Sequence, residues 1–196
     1  MYITRVEKFG KSKVKVYIDE ECKFCLYSKE LSKYKINEND EITEEEYEKL
    51  YQANLTRAKK YTLNILKMMD KTRYEIIRKL KQAGYNDEII DKALEYINSY
   101  NYIDDARYAS KYVRFKRDSK SKREIMNLLL KKGVSKDIIE DALFGEYKSE
   151  EIALIKTINK RKRGKDELSE EDKRRLMTNL CNKGFDYELI KKHLQK

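Results

Sequence analysis

The chain has 196 residues, carries a formal charge of +10 at neutral pH, and contains no proline and only six glycines. Charged residues make up 41% of it, with Lys and Glu dominant, which points to a mostly helical chain and away from a long β-sandwich that would need more turn residues. A chain of this size buries roughly 70% of its unfolded surface and needs neither disulfides nor metals to hold a core. Its longest apolar runs, such as Leu128 to Leu130, fall far short of the ~20 residues of a membrane span. No apolar block follows the charged start MYITRVEKFGKSK, as a cleavable signal would require. A cytoplasmic setting, with the three cysteines as reduced thiols, is expected.

From Tyr2 to about Asp19 apolar and polar residues alternate: Val14, Val16 and Ile18 point one way and Lys13, Lys15 and Tyr17 the other, with FGKS at Phe9 to Ser12 as the hairpin turn. KFCLYS at Lys23 to Ser28 offers a third strand. Residues 1–42 thus read as a small β-rich extension, which is expected to pack on the helix that follows because so small a sheet does not stand alone. Thr43 and Glu46 form a capping box that opens a helix through Tyr47, Leu50, Leu55, Ala58 and Leu66 to about Met69, about 40 Å long if unbroken.

The rest of the chain repeats. YEIIRKLKQAGYNDEIIDKAL (Tyr74 to Leu94), REIMNLLLKKGVSKDIIEDAL (Arg123 to Leu143) and RRLMTNLCNKGFDYELIKKHL (Arg174 to Leu194) align Gly84, Gly133 and Gly184 in one column. Each glycine stands where a helix must end in a left-handed residue, with Leu80, Leu129 or Leu180 touching Tyr85, Val134 or Phe185 across the stop. Asn86, Ser135 and Asp186 then cap the following helices, and Thr72 with Glu75, Ser121 with Glu124, and Ser169 with Asp172 open the preceding ones. A further helix lies ahead of each pair: the end of the Thr43 helix, Asp104 to about Lys116, and about Glu151 to Arg163. The expected architecture is mainly α: three tandem three-helix, helix-turn-helix-like repeats at residues 43–100, 101–147 and 148–196, stacked into an elongated, curved body.

Candidate binding residues lie in the second and third repeats. At 100° per residue, Arg107, Lys111 and Arg114 fall on one stripe of their helix, and Ala106, Ala109, Tyr112 and Val113 take the opposite half. Lys116, Arg117, Lys120, Lys122 and Arg123 carry positive charge into the next helix, and Lys160, Arg161, Lys162 and Arg163 occupy the equivalent connection of the third repeat. Such residues suit phosphates or a nucleoprotein groove, with salt-dependent binding; the alternative is a solvated helix face. Arg107 can also pair with Asp104 at the helix start. Asp104 and Asp105 stand where an N-cap and a first-turn acid belong. Tyr108, Tyr112 and Phe115 can stack on bases or pack within the repeat.

Cys22 and Cys25 in CKFC lack a second ligand pair; Cys181 is distant, and His193, the single histidine, replaces the alanine column of Ala93 and Ala142. On a regular strand the two cysteines would face opposite sides. No nucleophile, base and orienter cluster is visible, nor a phosphate-binding glycine loop, so no catalytic residue, metal or cofactor is expected.

The second repeat, YIDDARYASKYVRFKRDSKSKREIMNLLLKKGVSKDIIEDAL, resembles the signature module of the RecX family, regulators of the bacterial RecA recombinase. Asp104, Asp105, Arg107, Tyr108, Ala109, Tyr112, Val113 and Arg114 carry the likeness in its first helix, and Ile125, Leu129, Lys132, Gly133 and Val134 at the helix stop. The resemblance covers residues 57 to 196 and implies a non-enzymatic, monomeric modulator in homologous recombination, DNA repair and the SOS response. Such a protein binds the groove of the RecA filament on single-stranded DNA, with double-stranded DNA as a further ligand. It limits filament growth and lowers ATP hydrolysis and strand exchange by its partner. Two other readings stay open: an autonomous DNA-binding regulator built on the helix-turn-helix-like repeats, which would place Asp87, Glu88 and Asp137 at starts of recognition helices, and a nuclease, for which no carboxylate and histidine cluster is found.

Overall fold

Alternation of branched apolar and polar residues near the N-terminus produces a three-stranded antiparallel meander. In the computed structural model, which describes residues 1–162 and 168–194, β1 (Ile3–Phe9), β2 (Lys13–Ile18) and β3 (Glu21–Tyr27) pair in that order. Val14, Val16, Ile18, Phe24 and Leu26 join Ile3, Ile36, Ile42 and Leu50 in one buried cluster. Leu50 belongs to α2 (Glu44–Met68), so the sheet closes on the long helix as its small size demands. A short helix, α1 (Ser28–Tyr34), follows β3 directly and was not legible in the strand pattern; its Leu31 and Tyr34 pack on the same cluster.

The CKFC segment departs from a regular strand. Val16 lies opposite Phe24 but Tyr17 lies opposite Cys22, so β3 holds one extra residue at a bulge. Lys15 lies opposite Cys25. Opposed residues share a face, as do Lys15 and Tyr17, so the bulge brings Cys22 and Cys25 to the same face, contrary to the expectation for an unbroken strand. Both are free thiols pushed above the usual cysteine range, chiefly by burial. Among the described residues no group of three His, Cys, Asp or Glu side chains gathers to hold a metal.

The remaining helices follow the repeat: α3 (Arg73–Gln82) and α4 (Asp87–Asn98), then α5 (Asp105–Lys116), α6 (Lys122–Lys131) and α7 (Lys136–Glu146), then α8 (Glu151–Lys162), α9 (Glu170–Asn182) and α10 (Tyr187–Leu194). The helix stops have the expected left-handed glycines, with φ of +96° at Gly84, +76° at Gly133 and +83° at Gly184. In each, the amide after the glycine bonds back across the turn: Tyr85 to the Leu80 carbonyl at 3.2 Å, Val134 to Leu129 at 3.2 Å and Phe185 to Leu180 at 3.2 Å. Thr43 and Thr72 complete their capping boxes, and Ser121 and Ser169 accept from the amides three residues on. Asn86 and Asp186 cap α4 and α10, but Ser135 makes no side-chain bond at the start of α7, where a cap was expected.

Each repeat has its own core. Ile76, Leu80, Tyr85, Ile90 and Leu94 cluster with Leu55 and Ala58 of α2; Val113, Ile125, Leu129, Val134 and Ile139 form the second; Leu154, Ile158, Leu180, Phe185 and Ile190 form the third. The chain separates into two compact units, Met1–Ile103 and Asp104–Lys196. Within the first, the turn at Gly84 sits on the sheet: the Lys13 ammonium donates to the Ala83 carbonyl at 3.0 Å, and the Asn86 amide group to the Lys23 carbonyl at 3.0 Å. Within the second, the turn at Gly184 sits on the start of α6, where buried Ser121 donates to the Lys183 carbonyl at 2.5 Å.

Gly84→Ala is expected to lower the urea midpoint more than Gly10→Ala. Both positions have positive φ, at about 1–2 kcal/mol for an L-residue. Only at Gly84 would the new Cβ stand 2.6 Å from Cys25 Sγ, whereas nothing lies within 4 Å of one at Gly10. Equal midpoints in circular-dichroism unfolding would contradict a turn pressed against the sheet.

Candidate functional site

Asp104 caps α5 by accepting from the Arg107 amide at 2.8 Å, which makes it a structural acid, as its position implied. Ala109 and Val113 are buried, and Tyr108 and Tyr112 pack half-buried beside them with their rings stacked 6.2 Å apart. The Lys132 ammonium lies 5.5 Å from the Tyr108 ring centre. Both tyrosines are thus packing residues. Ala106 is exposed with Arg107 and Lys111, and Phe115 is 77% exposed with the Lys116 ammonium 4.6 Å from its ring.

The predicted cationic residues divide into groups that the sequence did not distinguish. Arg114 is clamped by Glu146 from the end of α7, with its Nε 3.1 Å and its Nη2 2.6 Å from the two carboxylate oxygens. Arg117 donates to the Glu146 carbonyl at 3.0 Å. The hydrogen bonds from Arg114 hold the Glu146 carboxyl below the usual range, and Glu146 holds Arg114 above it. These two arginines tie α5 to α7. The Lys122 ammonium lies over the ring of buried Tyr147 at 5.5 Å, and Arg123 packs its methylenes where a side chain on Gly184 would sit.

A third group meets in one place. Lys120 from the α5–α6 connection and Lys160 and Arg161 from α8 line a cavity of about 570 Å³. Lys156 and Lys183, which sequence reasoning did not single out, line it as well. The two basic connections recognised as separate runs therefore converge, although they lie far apart in the sequence. The backbone around the cavity is fixed: the Tyr147 hydroxyl donates to the Lys120 carbonyl at 2.8 Å, and Glu150 accepts from the amides of Lys122 at 3.0 Å and Asp186 at 3.4 Å. Burial pushes the Tyr147 hydroxyl well above the usual tyrosine range, so it stays a donor. Lys162 lines a neighbouring cavity with Arg161 and Arg175, and Arg163 lies outside the described residues. His193 is partly packed, 2.7 Å from Glu151, whose carboxyl it helps to hold below the usual range.

The repeats have counterparts among known proteins. The model described as RecX, first three-helix domain, matches residues 58–96, and that described as RecX, second three-helix domain, matches residues 104–143. The Regulatory protein RecX of Caldanaerobacter subterraneus subsp. tengcongensis is 34% identical, over 99% of this chain and 98% of that protein. That of Clostridium botulinum (strain Alaska E43 / Type E3) is 31% identical, over 95% of this chain and 90% of that protein. A crystal structure of regulatory protein RecX superposes with a TM-score of 0.64 at 22% identity, covering 97% of both chains. That of RecX from Lactobacillus salivarius gives 0.59 at 24% identity, over 72% of this chain and 94% of that one.

Glu146→Gln removes the charge that clamps Arg114, while Arg117 keeps its bond to the backbone carbonyl, and should raise the salt at which the protein elutes from heparin. Glu140→Gln makes the same charge change on the exposed side of α7, where Glu140 pairs with Lys136 at 3.5 Å one turn away on the same helix, and should shift elution less. Because the Arg114 hydrogen bonds hold the Glu146 carboxyl low, the clamp is complete at neutral pH and is lost as pH falls through that lowered value. The natural chain should approach the Glu146→Gln variant as pH passes through the lowered value. Equal shifts for the two variants at pH 7 would exclude the clamp as a control on these arginines.

Proposed function

The chain belongs to the RecX family of regulatory proteins, and from that premise we propose that it is a negative modulator of the RecA recombinase that binds the RecA filament on single-stranded DNA. It limits filament growth and lowers ATP hydrolysis and strand exchange without catalysing a reaction itself. The observation that carries this reading is the convergence of cations from two successive repeats in one cavity, within a chain of net charge +10. A nucleoprotein groove is polyanionic, and releasing its counterions drives such binding. Arg107 and Lys111, exposed on α5, supply a further contact face outside the Glu146 clamp.

Autonomous reading of duplex sequence is the less favoured function. The α4 and α7 helices stand where recognition helices of a helix-turn-helix would stand, yet Asp87 and Glu88 open α4 and Asp137 opens α7. Carboxylates there face the phosphates a recognition helix must approach. No helix among the described residues is long and apolar enough to cross a membrane.

The test is RecA-dependent ATP hydrolysis on single-stranded DNA with this protein added below stoichiometric amounts. The natural chain should inhibit, and Arg107→Ala with Lys111→Ala should inhibit several-fold less at an unchanged melting midpoint. Arg114 and Arg117 are left in place because they join α5 to α7. Absence of inhibition by the natural chain at any ratio, beside tight binding to one duplex sequence, would replace this function with the DNA-binding one.

A further inference from the structure

The cavity of about 570 Å³ lies where the second and third repeats meet. We propose that Lys120, Lys156, Lys160, Arg161 and Lys183 form a subsite for the phosphodiester backbone of a single nucleic-acid strand, taken without regard to base sequence. This deepens the proposed function, on which it rests, by dividing its contacts: phosphate meets the seam cavity, and partner protein meets the exposed α5 face.

Three observations carry it. The cations come from three separate segments, the α5–α6 connection, α8 and the α9–α10 turn, and among the described residues none that lines the cavity is a carboxylate. The acids that reach these cations do so from outside its lining: Asp118 lies 3.8 Å from Lys156 and Glu124 lies 3.3 Å from Lys120. Among the described residues, five cations against these two carboxylates leave a concentrated positive potential that a chain of phosphates relieves.

The segments are also held in place before any ligand arrives. The Lys183 carbonyl is bonded by Ser121, the Lys120 carbonyl by Tyr147, and Lys156 and Lys160 stand one turn apart on a single face of α8. A strand entering the cavity meets positioned backbones, so less order is lost on binding.

The lining also defines the ligand class. Its two neutral residues are Ser119, whose hydroxyl donates to the Lys116 carbonyl at 3.1 Å, and Thr157, whose hydroxyl donates to the Ala153 carbonyl at 2.8 Å. Among the described residues no aromatic ring lines the cavity to stack on a base, and no side-chain amide lines it to read a base edge. Contacts of this kind position a backbone and carry no sequence information.

The experiment measures fluorescence anisotropy of a short labelled oligo(dT) across a range of salt. Lys156→Gln with Lys183→Gln is compared with Lys136→Gln with Lys191→Gln, an equal charge loss at exposed positions outside the cavity. If each removed cation neutralises one phosphate, the first pair should lower the slope of log affinity against log salt by about 1.4 and weaken binding roughly 25-fold at 0.1 M salt. Lys156→Arg with Lys183→Arg should restore both, which separates lost charge from a disturbed fold. A mixed-sequence oligonucleotide should bind like oligo(dT). The proposal is overturned if the two glutamine pairs behave alike. Displacement of oligo(dT) by tripolyphosphate at much lower phosphate concentration would overturn it in favour of a small free oligophosphate. RecA ATPase inhibition, measured on the same proteins, reports separately on the proposed function, because the slope on naked oligo(dT) reads the cavity whether or not the partner responds.

Discussion

A glycine without a Cβ, held at positive φ, is the point on which each compact unit is assembled. At Gly84 a side chain would strike Cys25 Sγ at 2.6 Å, and at Gly184 it would strike Arg123 Cβ at 2.6 Å. In both turns the carbonyl just before the glycine accepts from a side chain of an earlier element: Ala83 from Lys13, and Lys183 from Ser121. The left-handed stop thus does two jobs. It ends a helix, and it presents a bare backbone surface close enough to be hydrogen-bonded by what came before it. The first repeat is fixed to the sheet in this way, and the third to the second.

This geometry decides which cations are free to act on a ligand. A surface charge on a chain of net +10 has many exposed equivalents, and position separates them. Arg114 and Arg117 are drawn into joining α5 to α7 by Glu146, and Arg123 covers the glycine turn. Lys183 reaches the seam cavity because its own carbonyl is anchored to Ser121 on the neighbouring repeat. Structural bonds of the backbone and the placement of a charged side chain are one event at that residue.

What was legible in the sequence was local. Glycine columns, capping residues and apolar spacing act over four or five residues, so the three repeats and their helix stops could be read directly. Two local readings still failed for local reasons. One extra residue in β3 reversed the relation of Cys22 to Cys25, and Ser135 stands at a cap position without making the bond. The α1 helix escaped because it follows the strand without a break and has few apolar positions to reveal a period. Lys156 and Lys183 were missed for a different reason. Each is an ordinary lysine within its own segment, and only the folding together of α8, the α5–α6 connection and the last turn sets them beside Lys120. Glu146 was missed likewise, since its partners lie far off in the sequence, at the end of another helix.

A binding site at a seam between repeats differs in consequence from one within a repeat. Each repeat buries its own small core, so the energy that joins the second to the third comes in part from a few polar links: Ser121 to the Lys183 carbonyl, and the Lys122 amide to Glu150, which also accepts from Asp186 of its own repeat. Polar links of this sort contribute about 0.5–1.5 kcal/mol each, which makes the seam responsive to anything that bridges it. An anion held by Lys120 on one side and by Lys156, Lys160 and Lys183 on the other adds its own binding energy to those links. In the proposed site, occupancy of the cavity and rigidity of the seam would be reciprocal, so that a sequence-independent ligand would gain a structural effect from where it binds.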